Sequence, residues 1–245
     1  MRNIKLEIEY DGSNYCGWQV QKSHRKSIQE TIEKTLREIL QEKIKLVASG
    51  RTDRGVHAKA QVANFLTNSE IALKKLQKAL NGLLPEDIAI IKAEEVSVDF
   101  HSRFQAKSKL YRYTILNRNY PSAFSRNQVY FFPRLLNIEL MREESKVLLG
   151  KHDFKSFQAS DKKKSDSVRT IKKLRITKDK DLIYIDIEAG GFLYNMVRNI
   201  AGTLIDIGRG RFNKGYLKKL LYSKNRKLAG PTAPAQGLCL LKVKY

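Results

Sequence analysis

Apolar and polar residues alternate through Ile4, Leu6, Ile8 and Tyr10, with Lys5, Glu7 and Glu9 between them, which is the period of a strand with one buried face. The run stops at the turn pair Asp11-Gly12. Further on the period lengthens. Ser27-Ile28-Gln29-Glu30 is a capping box, and Ile28, Ile32, Leu36, Ile39 and Leu40 form the apolar stripe of the helix it opens. Two strand-like runs follow, one through Ile44, Leu46 and Ala48 and one over 61–66. A second helix is predicted over 70–81 from Leu73, Leu76 and Leu80, with Asn81-Gly82 and Pro85 stopping it, and Ile88 and Ile90 open another strand. The first half therefore reads β-α-β-β-α-β.

Residues 99–108 read as the crossing to a second half. A long strand is predicted over 109–117, with Tyr111, Tyr113 and Ile115 on one face. Residues 118–135 are aromatic and irregular. A helix over 138–149 starts at the N-cap Asn137 and ends at Gly150. The polar, Lys-rich segment 161–169 reads as a mobile loop, followed by strands over 170–177 and 181–188. A helix over 194–207, a shorter one led by Asn213 and a last strand over 238–243 complete the chain. The fold class is α+β (mixed α/β), with two related halves, 1–104 and 105–245, sharing a cleft. The identity between the halves is too low to argue duplication, and no segment is of low complexity.

Composition adds a partner. The 245 residues carry 47 Lys+Arg against 25 Asp+Glu, a formal net charge of +22, and such an excess suits a polyanion whose phosphates it neutralises. Lys162, Lys163, Lys164, Arg169, Lys172 and Lys173, then Arg209 to Lys227, are the densest basic stretches. No zinc finger, recognition helix or aromatic RNP-type octamer accompanies them, which favours RNA bound by shape. No run of about 18 apolar residues exists for a membrane span, and the charged N-terminus is no signal-peptide core, so a cytoplasmic location is expected. Cys16 and Cys239 form no CxxC pair, and His24, His57, His101 and His152 have no metal-ligand spacing. No metal is expected.

The chemistry concentrates in Gly50-Arg51-Thr52-Asp53-Arg54-Gly55-Val56-His57-Ala58. One carboxylate lies between two arginines, which would keep it ionised, on a loop whose glycines permit unusual φ. A lone acid in a charged turn is most often an ordinary surface residue. A carboxylate held ionised is a poor general base but is suited to act as a nucleophile or to face a developing positive charge. Tyr111 and Tyr113 read as core residues or as rings for an extruded base. Arg198 falls at the edge of the apolar stripe of its helix, where it either snorkels to water or enters a cleft to hold a carboxylate. Trp18 reads as core, with base stacking as the alternative. Besides an enzyme acting on RNA, a non-catalytic RNA-binding module with the same basic surface and a ribonuclease using His57 and His101 remain open.

Several separated stretches resemble the tRNA pseudouridine synthase A family. They are Tyr10-Asp11-Gly12 with Gly17-Trp18-Gln19, Ala48 to Ala58, Tyr111-Arg112-Tyr113, Asn195 to Asn199, and Gly230 to Leu238. They occur in the family's order and span nearly the whole chain. The resemblance implies the pseudouridine-synthase fold: two similar ferredoxin-like halves, an extended and mostly antiparallel sheet, and a central active-site cleft. It implies isomerisation of uridine to pseudouridine at positions 38, 39 and 40 in the anticodon stem-loop of tRNA, by a cofactor-free homodimer. It carries over Asp53 as the catalytic aspartate, Tyr111 as the base-stacking tyrosine and Arg198 as the arginine paired with the aspartate. Arg51 would help to displace the target nucleotide.

Overall fold

The alternating N-terminal run forms β1 (Arg2–Tyr10). The computed structural model describes residues 1–21, 26–159 and 166–245, so His24 and the lysines at 162–164 lie outside the described residues, as does most of the loop expected over 161–169. The chain divides into two compact units, Met1–Lys107 with Cys239–Tyr245, and Ser108–Leu238. The division at 104/105 read from the sequence leaves the C-terminal strand with the second half; in the structure Cys239–Tyr245 count with the first, where Cys239 and Leu240 pair with His57 and Ala58.

In the first unit β1 is followed by α1 (Ile28–Leu40), β2 (Val47–Ala48), β3 (His57–Thr67), α2 (Leu73–Leu83) and β4 (Ile88–Val96). The chain's last strand, β10 (Leu238–Lys244), returns here. Ser27 caps α1 by accepting from the Glu30 amide, and Ile28, Ile32, Leu36 and Leu40 are buried, as the capping box and stripe require. β1 lies between β4 and β3, antiparallel to both. β2 pairs antiparallel with β3 at Ala63 and Asn64, and β10 pairs parallel with it at His57 and Ala58. The neighbour order β4-β1-β3-β2 with helices after β1 and β3 is the ferredoxin-like arrangement.

The β3 pattern departs from simple alternation. All its residues except Lys59 and Leu66 are buried, polar Gln61 and Asn64 included. A half-exposed strand would leave one face to water; this one does not, so its amides must find partners inside the protein.

The second unit holds β5 (Ser108–Leu116), β6 (Tyr130–Phe131), α3 (Ile138–Ser145), β7 (Gly150–Asp153), β8 (Val168–Asp179), β9 (Leu182–Ala189), α4 (Met196–Gly208) and α5 (Tyr216–Ser223). β5, β9, β8 and β7 are neighbours in that order, all antiparallel. Strand β5, helix α3, strands β8 and β9 and helix α4 repeat the rhythm of β1, α1, β2, β3 and α2, again with the third strand beside the first. Three boundaries differ from the periodicity. A 3-10 turn over Lys146–Leu148 shortens α3, and Gly150 (φ 93) opens β7 instead of ending a helix. Val168 and Arg169 belong to β8, where they pair with Asp153 and His152. The last helix starts at Tyr216 rather than Asn213, because Glu144 reaches from α3 to accept from the Gly215 and Leu217 amides at 2.7 and 3.1 Å. A cap supplied from so far along the chain leaves no local sequence signal.

Helix α4 is buried on every side except at Arg198. Asn199 and Asp206, opposite the apolar stripe, are not solvent-facing. Asp206 pairs with Arg209 and Arg211 at 2.8 and 3.0 Å, and Asn199 binds the Phe157 carbonyl at 2.7 Å. Segment 230–233 lies directly on this helix: a Cβ at Gly202 would stand 1.8 Å from the Pro231 carbonyl oxygen.

Two Gly→Ala substitutions should therefore act with opposite sign. Gly202→Ala displaces backbone and should lower the unfolding free energy by about 1–3 kcal/mol or more. Gly82→Ala, at an exposed position of α2 with nothing within 4 Å, should raise it by about 0.5–1 kcal/mol. Urea denaturation of both variants checks the pair.

Candidate active site

The Asp53 loop connects β2 to β3, and each of its sides is held by backbone or buried polar contacts. At its start, Gln61 of β3 accepts from the Ser49 hydroxyl at 2.7 Å and donates to the Gly50 carbonyl at 2.9 Å, while the Ser49 amide binds the Val62 carbonyl at 2.7 Å. In its middle, the Tyr10 hydroxyl meets Thr52 Oγ1 at 2.8 Å, and the Trp18 amide donates to the Thr52 carbonyl at 3.0 Å. Burial pushes the Tyr10 phenol far above its ordinary pKa, so it stays a neutral hydrogen-bonding group. At its end, the Val56 amide closes a turn onto the Asp53 carbonyl at 3.1 Å, with Gly55 at φ 76. Gly50 does not occupy the left-handed region; the second glycine the loop needs is Gly17.

Gly17 takes φ 111, and a Cβ there would lie 2.7 Å from the Thr52 carbonyl oxygen. A Cβ on Gly12 would lie 2.1 Å from that of Val56. The 11–18 segment can rest on the Asp53 loop only because both positions lack side chains. His57 completes the clamp: its Nδ1 accepts from the Gly12 amide at 3.1 Å and lies 3.1 Å from Asp11 Oδ1. His57 is buried, and its Nε2 has no hydrogen-bond partner among the described residues, an arrangement that holds a loop rather than serving solvent-borne acid–base chemistry. Trp18, 2% exposed and 6.0 Å from the Tyr10 ring, is a core residue, so it is not available to stack on a base. Against these fixed neighbours Asp53 itself is half-buried, and Arg51 and Arg54 are exposed.

Tyr111 and Arg198 belong to the second unit. On β5, Tyr111 and Tyr113 lie opposite Ile187 and Ile185, and between them Arg112 lies opposite Asp186. Arg112 binds Asp186 with two hydrogen bonds, at 2.7 and 2.8 Å, which fixes the register of the β5–β9 pair. Tyr113 is fully buried and donates to the Pro234 carbonyl at 2.9 Å. Burial first, then Tyr130, pushes its phenol far above the usual range, and Arg198 acts in the opposite direction. Tyr111 keeps 8% of its surface exposed and meets Phe192 edge-on at 5.1 Å.

Arg198 does not snorkel. Its Nε donates to the Ala233 carbonyl at 2.8 Å and its Nη1 to Asn195 Oδ1 at 3.0 Å. The Asn195 side chain makes no cap bond to α4; the residue sits in the left-handed region at φ 57 and spends that side chain on the arginine. The 226–233 segment is pinned in turn by Asn199, whose Oδ1 accepts from Arg226 at 2.9 Å and from Thr232 at 2.6 Å. From the sequence Arg198 receives a role, whereas Asn195, Asn199 and Gln61 receive none. Their signal is the polar residue within an apolar pattern, which periodicity alone treats as noise. Among the described residues, no group of three or more His, Cys, Asp or Glu could hold a metal ion, and no helix is long and apolar enough to cross a membrane.

The sequence profile of a family described as tRNA pseudouridine synthase matches residues 7–105 and 145–245. A Clostridium acetobutylicum protein named tRNA pseudouridine synthase A is 48% identical over the full length of both chains. One from Clostridium perfringens, named tRNA pseudouridine synthase A 2, is 50% identical over the same extent. Among solved structures, a Cbf5-Nop10-Gar1 complex aligns with 97% of this chain and 58% of that one, at 13% identity and a TM-score of 0.35.

The clamp on the Asp53 loop is open to direct measurement. Gln61→Ala strips partners from Ser49 and Gly50 and should cost about 2–4 kcal/mol, and Tyr10→Phe, which orphans Thr52 Oγ1, about 1–2 kcal/mol. In hydrogen exchange, Gln61→Ala should also lower the protection of the Ser49 and Val56 amides relative to that of the β1 core amides.

Proposed function

The chain belongs to the tRNA pseudouridine synthase family, and from that premise we propose that it isomerises uridine to pseudouridine in the anticodon stem-loop of tRNA, at positions 38, 39 and 40. The observation that carries the reading is the Asp53 loop: a single half-buried carboxylate displayed by a turn that Gln61, Tyr10, Trp18 and Gly12 hold in place. A non-catalytic RNA-binding module has no use for a carboxylate presented this way. A ribonuclease built on His57 finds no support either, because that ring is buried against Gly12.

The reaction breaks the N1–C1′ bond, turns the uracil, joins C5 to C1′ and moves the C5 proton away while N1 gains one. It is redox-neutral and adds no atoms, so the proposal includes no cofactor. Asp53 is assigned the nucleophile, attacking C1′ or C6. Arg198 is assigned the cation that faces Asp53, and its fixed Nε and Nη1 suit a group that must not reorganise during the reaction. Tyr111 is assigned the ring that holds the uracil, and its phenol a relay that takes the C5 proton on oxygen while passing its own O–H proton to solvent. Extruding the nucleotide costs a few kcal/mol; Arg51, which is exposed, is assigned to fill the gap it leaves. A cytoplasmic homodimer is part of the same proposal, and its state in solution can be read by light scattering.

Release of tritium from C5-labelled uridine in tRNA tests the whole reading. Asp53→Asn should reduce release by more than about 10³-fold with tRNA affinity nearly unchanged; substantial residual turnover would remove the nucleophile assignment. Arg198→Ala should lower kcat by about 10–100-fold, and Arg198→Lys should not restore it, since an ammonium cannot reproduce the planar fork. An Arg198→Ala variant that loses stability but keeps its kcat would show that the arginine only packs.

A further inference from the structure

Outside the Asp53 loop, the first unit carries a second rigid loop that the proposed chemistry does not use. Residues 99–105 turn at its surface, and Phe104 is 76% exposed at the tip. Single exposed aromatics are common and need no explanation. Here the turn beneath the ring is fastened with unusual thoroughness. The Ser102 amide donates to Asn64 Oδ1 at 3.0 Å, as does its hydroxyl. Nδ2 of Asn64 and of Asn3 both donate to the Phe100 carbonyl, at 3.2 and 2.9 Å. The Tyr245 hydroxyl donates to the Ser102 carbonyl at 2.8 Å. Asn3, Asn64 and Ser102 are buried, so this anchoring takes place away from water.

On that base the ring itself is oriented. His101 stacks on Phe104 with centroids 4.2 Å apart and planes at 30°. The His101 ring cannot drift, because its Nδ1 accepts from the Arg103 and Phe104 amides at 3.2 and 3.3 Å. The Arg103 guanidinium carbon lies 5.7 Å from the Phe104 centroid. A fixed, solvent-exposed aromatic ring, backed by His101 and with a guanidinium over it, matches a nucleobase and its adjoining phosphate, and the chain's net charge of +22 favours that partner over an apolar one.

We propose that the 99–105 turn is an RNA-stacking platform, in which an unstacked nucleobase of the bound tRNA lies on Phe104 and Arg103 meets the neighbouring phosphate. The proposal rests on tRNA being the substrate. Its weight falls on binding, because no atom of the platform takes part in the isomerisation.

The test uses the full chain and an in vitro transcribed tRNA, with affinity measured at several salt concentrations. Phe104→Ala and Phe104→Leu should each weaken binding by about 5–100-fold. Phe104→Trp should bind within about threefold of wild type, and tRNA should quench its fluorescence more than that of the wild type, whose single tryptophan, Trp18, is buried. Arg103→Ala should reduce the salt slope by about one. Wild-type affinity in Phe104→Ala, or equal binding by the Leu and Trp variants, overturns the platform. A change in oligomeric state in place of a change in RNA affinity does so too, since it makes Phe104 a contact between copies of the chain. Tritium release by the wild-type protein, run in parallel, separates the two readings. Release with an indifferent Phe104 sinks the platform alone, whereas a wild type that neither binds nor isomerises tRNA sinks both.

Discussion

A buried amide side chain must be hydrogen-bonded inside the protein, and two such side chains on one strand organise the first unit. Gln61 and Asn64 sit in the middle of β3, both essentially out of water. An unsatisfied buried polar group costs on the order of 1–3 kcal/mol, so each amide needs partners, and each finds them in a loop. Gln61 takes Ser49 and Gly50 at the base of the Asp53 loop, and Asn64 takes Phe100 and Ser102 beneath the Phe104 turn. The strand contributes no reactive atom. What it supplies is immobility, transferred to two loops through backbone atoms and the hydroxyls of Ser49 and Ser102.

The second unit solves a similar problem with a helix. α4 is too buried to be amphipathic, and its polar residues act as internal partners. Asn199 holds Phe157, Arg226 and Thr232, while Thr203 accepts from the Gly230 amide at 3.0 Å. Those bonds lay the 226–233 segment along the helix, which puts the Ala233 carbonyl where Arg198 needs an acceptor. The arginine's direction is therefore set by packing that lies mostly outside it. Such positioning suits the electrostatic role proposed for it, since groups already oriented cost no reorganisation when charge develops.

Much of the architecture was legible in the residue pattern because its causes are local. The capping box at Ser27, the alternation in β1 and β5 and the N-cap at Asn137 each depend on neighbours a few positions away, and each has its predicted place. The misplaced boundaries share the opposite property. α5 begins where Glu144 reaches it from another helix, and the strand at Gly150 exists because β8 pairs with it. The candidate site divides along the same line. Asp53, Tyr111 and Arg198 stood out through residue type and family resemblance. The residues that hold them did not, because Gln61 in a strand and Asn199 on a helix look like ordinary polar positions until their partners are known.

That division has a physical consequence for how the Asp53 loop can carry charge. Its fixing contacts go to the Gly50 and Thr52 carbonyls, the Thr52 hydroxyl, and the Ser49 and Val56 backbone, leaving Arg51 and Arg54 outside the clamp with exposed side chains. Had the arginines been the fasteners, each would have been committed to a buried acceptor, with the desolvation cost that burial of a guanidinium carries. Anchoring through main chain and neutral side chains avoids that cost and keeps two cations at the surface beside a half-buried carboxylate. A loop that approaches a polyanion needs both properties at once: a backbone stiff enough to aim one acid, and cations that remain hydrated until the phosphates arrive to replace the water.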